Sequence, residues 1–172
     1  MITIMKWILC IVLLVNAAQA EEVYQSQDDF LASTFDNVPD PQRLTLSGDL
    51  SKQVKKILDH RYKKIRVPYW QEGCRTAWIL EKIGKDRQIT AGFVVNSQGL
   101  EKVKVLVFRE SRGWEVKHNF FGQQFIGAKL TNKYKLDTNI DNISGATLSV
   151  NAVTGISRMA LLLHEHVTKD SC

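Results

Sequence analysis

The chain has 172 residues, a formal net charge of +5, 44% hydrophobic residues and three cysteines. That length fits one domain with a core of its own, and neither an internal repeat nor a low-complexity tract breaks it up. The positive residues are spread apart from one run, which together with an export signal argues against a nucleic-acid partner. No Cys-x-x-Cys or paired Cys/His spacing points to haem, iron–sulfur or zinc.

Residues 1–20 read as a signal peptide. Lys6 precedes an apolar run from Trp7 to Val15, and Ala18-Gln19-Ala20 predicts cleavage after Ala20. The run is shorter than the roughly 20 residues a membrane-spanning helix needs. The expected location is therefore periplasmic or otherwise exported, with an uncleaved membrane anchor as the alternative. Cys10 lies inside the run without the small residues of a lipid-attachment site before it. Cys74 and Cys172 are the cysteines left after cleavage, and export permits a disulfide between them, although an even count does not establish one.

Residues 21–48 read as an N-terminal arm, polar and loosely ordered over Glu21 to Pro41, with Phe30 and Leu31 as docking points. Residues 49–172 read as a single α+β domain. Leu50, Val54, Ile57, Leu58, Arg61 and Ile65 recur at helical spacing and predict an amphipathic helix from Asp49 to about Ile65, with Pro68 just beyond. Lys52, Lys55, Lys56, Arg61, Lys63 and Lys64 make it strongly basic. Such a run is a solvated face or a docking surface for an acidic redox partner or anionic lipid heads.

Strands are predicted around Thr76–Leu80, Arg87–Asn96 and Leu100–Glu110, the last two joined by a turn at Asn96-Ser97-Gln98-Gly99. In the last, Val103, Val105 and Val107 fall on one face, and Lys102 and Lys104 share the other with Leu106 and Phe108. The pair predicts an antiparallel hairpin with one buried side. Then come Arg109-Glu110-Ser111-Arg112-Gly113-Trp114-Glu115-Val116 and Phe121-Gly122-Gln123-Gln124-Phe125-Ile126-Gly127. Trp114, Phe120, Phe121 and Phe125 are either core or flat walls for a ring. Glu110 and Glu115 are surface charges or orient a ring or loop.

Asp141-Asn142-Ile143-Ser144-Gly145-Ala146-Thr147 precedes a segment whose Val150, Val153, Ile156, Ala160, Leu163 and Val167 predict a long C-terminal helix with one apolar stripe. Thr147 thus sits at a helix start, where free N–H groups and the helix dipole favour an anion. The plainer reading is a turn with Ser144, Thr147 or Ser149 as cap. His164-Glu165-His166 are not expected to bind a metal, since residues two apart on a helix face away from each other.

Asp-x-x-Ser-Gly-Ala-Thr resembles the flavin-attachment motif of the FMN-binding domain family, which includes the FMN-carrying subunits of sodium-pumping NADH:quinone reductases and related ion-translocating electron-transfer complexes. The Arg109–Val116 and Phe121–Gly127 stretches resemble that family's Arg-Glu-x-x-Gly-x-Glu-(Val/Ile) and Phe-x-x-Gln-Phe-x-Gly segments, so the resemblance covers about 89–167. It implies an α+β fold with an antiparallel sheet. It implies FMN held covalently by a phosphodiester to Thr147, placed there by a flavin transferase, with Asp141, Ser144, Gly145 and Ala146 as recognition frame and Glu110, Trp114 and Phe125 near the cofactor. An exported electron carrier rather than a stand-alone enzyme follows, exchanging electrons with a membrane reductase or cytochrome. The alternatives are a non-redox periplasmic binding domain and a membrane-anchored subunit of a redox complex.

Overall fold

The structure, a computed structural model, describes residues 21–169 and 172. The expected signal peptide, its cleavage point after Ala20 and Cys10 lie outside the described residues. The chain is α+β: among the described residues, six strands form one antiparallel sheet in the order β1-β6-β5-β4-β3-β2. They are β1 (Glu22–Val23), β2 (Gln42–Thr45), β3 (Arg66–Glu72), β4 (Arg75–Ile83), β5 (Gln88–Asn96) and β6 (Gly99–Phe108). The helices are α1 (Gln27–Ala32), α2 (Gly48–Leu58), α3 (Asn119–Gln123) and α4 (Thr147–Thr168). No described helix is long and apolar enough to cross a membrane.

The main core lies between one sheet face and the helices α2 and α4. Trp78, Leu80, Ala91, Phe93, Val103 and Val105 from the sheet meet Val54, Ile57, Val153, Ile156 and Leu163 from the helices. Alternation along a strand sends every second side chain into this layer, and the i, i+3, i+4 spacing of α4 supplies the opposing stripe.

Three expectations change. The arm is ordered and integral to the sheet. Its β1 pairs with β6 and its β2 with β3, so it supplies both edge strands. Ser26 caps α1 by accepting from the Asp29 N–H at 3.0 Å, and Phe30 is fully buried. Second, the β5–β6 hairpin is buried on both sides. Phe30, Leu31 and Phe35 cover a second small core with Trp70, Ala77, Val94 and Leu106. Gly92 makes this possible, because a Cβ there would stand 2.6 Å from the Phe30 ring. A β-bulge also inverts the expected faces: Thr90 pairs with Val107 but Ala91 with Val105, leaving Leu106 as the extra residue. Beyond it, Val107 joins the second face and Phe108 the main core.

Third, the predicted helix over Asp49–Ile65 ends at Leu58. Asp59 takes a left-handed conformation (φ 64°) as its C-cap, which an Asp side chain tolerates better than most. Arg61, Lys63 and Lys64 consequently lie in the α2–β3 loop, and Ile65 is exposed rather than on an apolar helix face. The loop is anchored by half-buried Tyr62, whose hydroxyl accepts the Glu81 N–H at 3.1 Å; burial pushes that phenol up to about 12.

Cys74, in the β3–β4 turn, is disulfide-bonded to Cys172, with Cα atoms 5.7 Å apart. The bond ties the segment after α4 to the sheet.

Candidate functional site: the N-terminus of α4

Thr147 is the first residue of α4. The N-cap is Ala146, and no side chain caps the helix. Neither Ser144 nor Ser149 takes the capping role that sequence allowed, and the Thr147 hydroxyl instead accepts a hydrogen bond from Asn142 Nδ2 at 2.8 Å. The first-turn N–H groups of a helix lack intrahelical acceptors, so here they face the site without a side-chain oxygen to satisfy them. Gly145, at φ 82°, makes the turn that delivers buried Ala146 and exposed Thr147 to this position. A side chain there would be strained by the left-handed backbone.

Thr147 opens onto a cleft of about 510 Å³, lined by Lys85, Glu110, Arg112, Thr147, Leu148 and Ser149 among others. That volume is in the range of small-molecule sites. Lys85 comes from the β4–β5 turn, and Arg112 from the loop after β6. Two cations and an uncapped helix N-terminus line the same cleft as one exposed hydroxyl, a donor set suited to phosphate.

Polar residues and a glycine of the other two motifs form the scaffold of this cleft. Arg109 Nη1 donates to Thr90 Oγ1 at 2.9 Å, and Nη2 donates to Glu21 Oε1 at 2.6 Å, fixing the exit of β6. Glu110 Oε1 accepts the backbone N–H groups of Lys85, Asp86 and Arg87, the latter two at 2.8 and 2.9 Å. It therefore holds the β4–β5 turn that presents Lys85. Gly113 lets the β6 exit loop press on α4: a Cβ there would stand 2.5 Å from Ser149 Oγ and 3.3 Å from Ala146 Cα. Gln124 Oε1 accepts the Asp141 N–H at 2.7 Å, pinning the start of the Thr147 loop.

The aromatics divide. Phe121 and Phe125 are buried and meet edge to face, with centroids 5.2 Å apart. Phe125 thus supports the loop from within the core instead of walling a ligand. Trp114 and Phe120 are about half exposed, with His118 set between them: its ring is edge-on to Trp114 at 5.7 Å and stacked on Phe120 at 6.0 Å. Trp114 follows Gly113, so this aromatic ledge adjoins the α4 N-terminus. Asp141 and Ser144 are exposed on the loop and do not line the cleft. Lys85, Arg112, Asn142 and Leu148 do contribute to the site and carried no signal of their own; only their neighbours in the motifs marked them.

The residues fit a flavin mononucleotide in two respects. The anion site matches its phosphate, and exposed Trp114, Phe120 and Leu148 offer apolar surface for its ring system.

No curated protein and no solved structure matches the chain. The family model for the FMN-binding domain matches residues 84–162, a span that runs from the β4–β5 turn through the cleft and most of α4. On that match and on this geometry, residues 84–162 are an FMN-binding domain, and the chain is a flavin-binding protein.

Proposed function

We propose that the chain is an exported electron carrier whose FMN is attached covalently, through a phosphodiester on Thr147 Oγ1. The observation that carries this reading is the placement of an exposed threonine hydroxyl at an uncapped helix N-terminus, beside Lys85 and Arg112, within the FMN-binding domain. In the maturation step Thr147 Oγ1 attacks the flavin-side phosphorus of FAD, with AMP as leaving group and the hydroxyl proton passing to a base of the flavin transferase. Asn142 donates to Thr147 Oγ1 and so leaves the hydroxyl proton pointing elsewhere, free for removal. The first-turn amides, Lys85 and Arg112 then hold the phosphodiester's charge. When bound, FMN would supply two-electron acceptance and one-electron release, a chemistry that would link a two-electron donor to a one-electron acceptor such as a cytochrome or membrane reductase. Export is supported by the signal-like residues 1–20 and by the Cys74–Cys172 bond, since disulfides persist in oxidising compartments.

The test is coexpression with a flavin transferase in an export-competent host, followed by a denaturing gel viewed under ultraviolet light and by intact mass. Wild type should carry an FMN-sized increment, and Thr147→Val should be folded and unlabelled. A labelled Thr147→Val protein would sink the assignment. Cleavage after Ala20 is read from the same mass spectrum.

A further inference from the structure

On the other side of the β4–β5 turn from the Thr147 cleft lies a second cavity of about 260 Å³, between Tyr62, Lys63 and Lys64 of the α2–β3 loop and Glu81, Lys82 and Ile83 of β4. Residues 59–64 and 81–88 together hold six lysines and arginines against three carboxylates. Two of those carboxylates are already engaged: Glu81 pairs with Lys64 at 3.1 Å, and Asp86 lies 3.8 Å from Lys85. Arg61, Lys63 and Arg87 are exposed and have no ion-pair partner among the described residues. Lys82 is held at the cavity wall. Its Nζ donates to Leu58 O at 3.4 Å, and Gly155 gives it room, since a Cβ there would stand 2.9 Å from Nζ.

The two cavities are neighbours. Lys85 lines the first, Ile83 and Gln88 line the second, and one turn joins them. Gly155 also lies eight residues after Thr147 on α4, so the Lys82 ammonium sits only about 12 Å along the helix from the attachment point. A surface charged to attract a partner and placed beside a redox group is where electrons would leave or enter.

We infer that the α2–β3 loop and the β4–β5 turn form the docking surface for an acidic electron-transfer protein, an inference that rests on the reading of the chain as a flavin-bearing carrier. Exposed Arg61, Lys63 and Arg87 steer the partner. The concave site walled by Tyr62 and Lys82 receives a projecting carboxylate of that partner and fixes its orientation. The concavity favours a protein with protruding acidic side chains over a flat lipid surface.

The test uses an acidic [2Fe–2S] ferredoxin as probe, titrated into isotope-labelled protein in both the flavin-bearing wild type and flavin-free Thr147→Val. Amide shifts should be confined to residues 60–64 and 83–88 and should fade with salt. Lys63→Glu should weaken binding about threefold or more. Lys129→Glu, an equal change in charge beyond the far end of β5 and so roughly 30 Å away, should leave it unaltered. Equal weakening by both substitutions, or shifts centred elsewhere, would overturn the docking surface. So would Lys63-dependent sedimentation with phosphatidylglycerol vesicles alongside ferredoxin binding indifferent to Lys63. Because docking is read without flavin as well, its failure and a failure of attachment at Thr147 are separate results.

Discussion

The two ends of α4 are built on opposite plans. At the N-terminus, Thr147 and Leu148 are exposed, no side chain caps the helix, and the nearest polar contact is a single exposed bond from Asn142. At the C-terminus, His164 and Thr168 are buried. Trp78 Nε1 donates to Thr76 Oγ1 at 2.8 Å, and that oxygen lies 2.8 Å from His164 Nδ1. The indole can only donate, so Thr76 Oγ1 accepts from it and keeps a proton and a second lone pair for the contact with His164. Thr168 donates to His164 O, and the Cys74–Cys172 bond closes the end. One helix thus anchors itself at one end and leaves its other end unsatisfied. That division lets a cofactor site be open without loosening the fold.

The sharpest way to break this comparison is to change each end and read both properties. Thr147→Val should abolish covalent flavin while costing about 0.5–1 kcal/mol of stability, the worth of one exposed hydrogen bond. The Cys74→Ser, Cys172→Ser protein should do the reverse. A crosslink over 98 residues is worth up to about 4–5 kcal/mol by loop entropy, yet labelling of the folded fraction should be unchanged. Denaturant melts paired with gel fluorescence measure both, and flavin loss in the cysteine variant would mean that the ends are coupled. Free-thiol titration of unreduced, denatured protein cleaved after Ala20, and so without Cys10, checks the bond itself and should find no reactive thiol.

Glu110→Ala sharpens the picture at the open end. It strips one acceptor from three backbone amides of the β4–β5 turn, with an expected cost of about 1–3 kcal/mol. Faster hydrogen exchange should appear at Lys85, Asp86 and Arg87 and not at His164. Uniform loosening would assign Glu110 a global role instead.

The smallest effect belongs to His164. Burial holds its pKa below the usual 6.5, so the unfolded chain binds a proton more readily than the folded one. Its contribution is fully present above 6.5 and is lost as pH falls from there through the folded value. Stability measured on either side of 6.5 should show this slope in wild type, and His164→Gln should flatten it. An unaltered slope would place the responsible group elsewhere.

Much of this was legible in the residues. The Ser144–Thr147 motif, the β-branched strands and the stripe of α4 all declared themselves through spacing. What escaped did so for physical reasons. The α1 helix is six residues long, too short for a periodic pattern, so Phe30 looked like a docking residue on a loose arm and not the centre of a second core. The bulge at Leu106 shifts parity by one without any glycine or proline to mark it. Asp59 ends α2 by a left-handed turn, although lysines and an isoleucine continue the helical register beyond it. Phe125 and Phe120 belong to one short segment and have opposite fates, and only the packing of α3 against β6 distinguishes them. Arg109, Glu110 and Gln124 were visible as motif letters, but their jobs are bonds to the backbone and side chains of distant turns, which spacing cannot report.

The integration of the N-terminal arm has a further consequence for aggregation. A sheet with a bare edge offers its unpaired amides to any other chain, and natural sheets blunt such edges with short or interrupted strands. Here the cover is β1, only two residues long, followed by the α1 plug over Leu106. Trimming residues 21–35 would bare the β6 edge at Leu106–Phe108 and uncover Trp70 and Leu106 together. The trimmed chain should scatter light and bind thioflavin where the full chain does not. The arm is therefore a guard against strand addition between copies, and a protease cut in its exposed stretch would turn the folded protein into a seed for assembly.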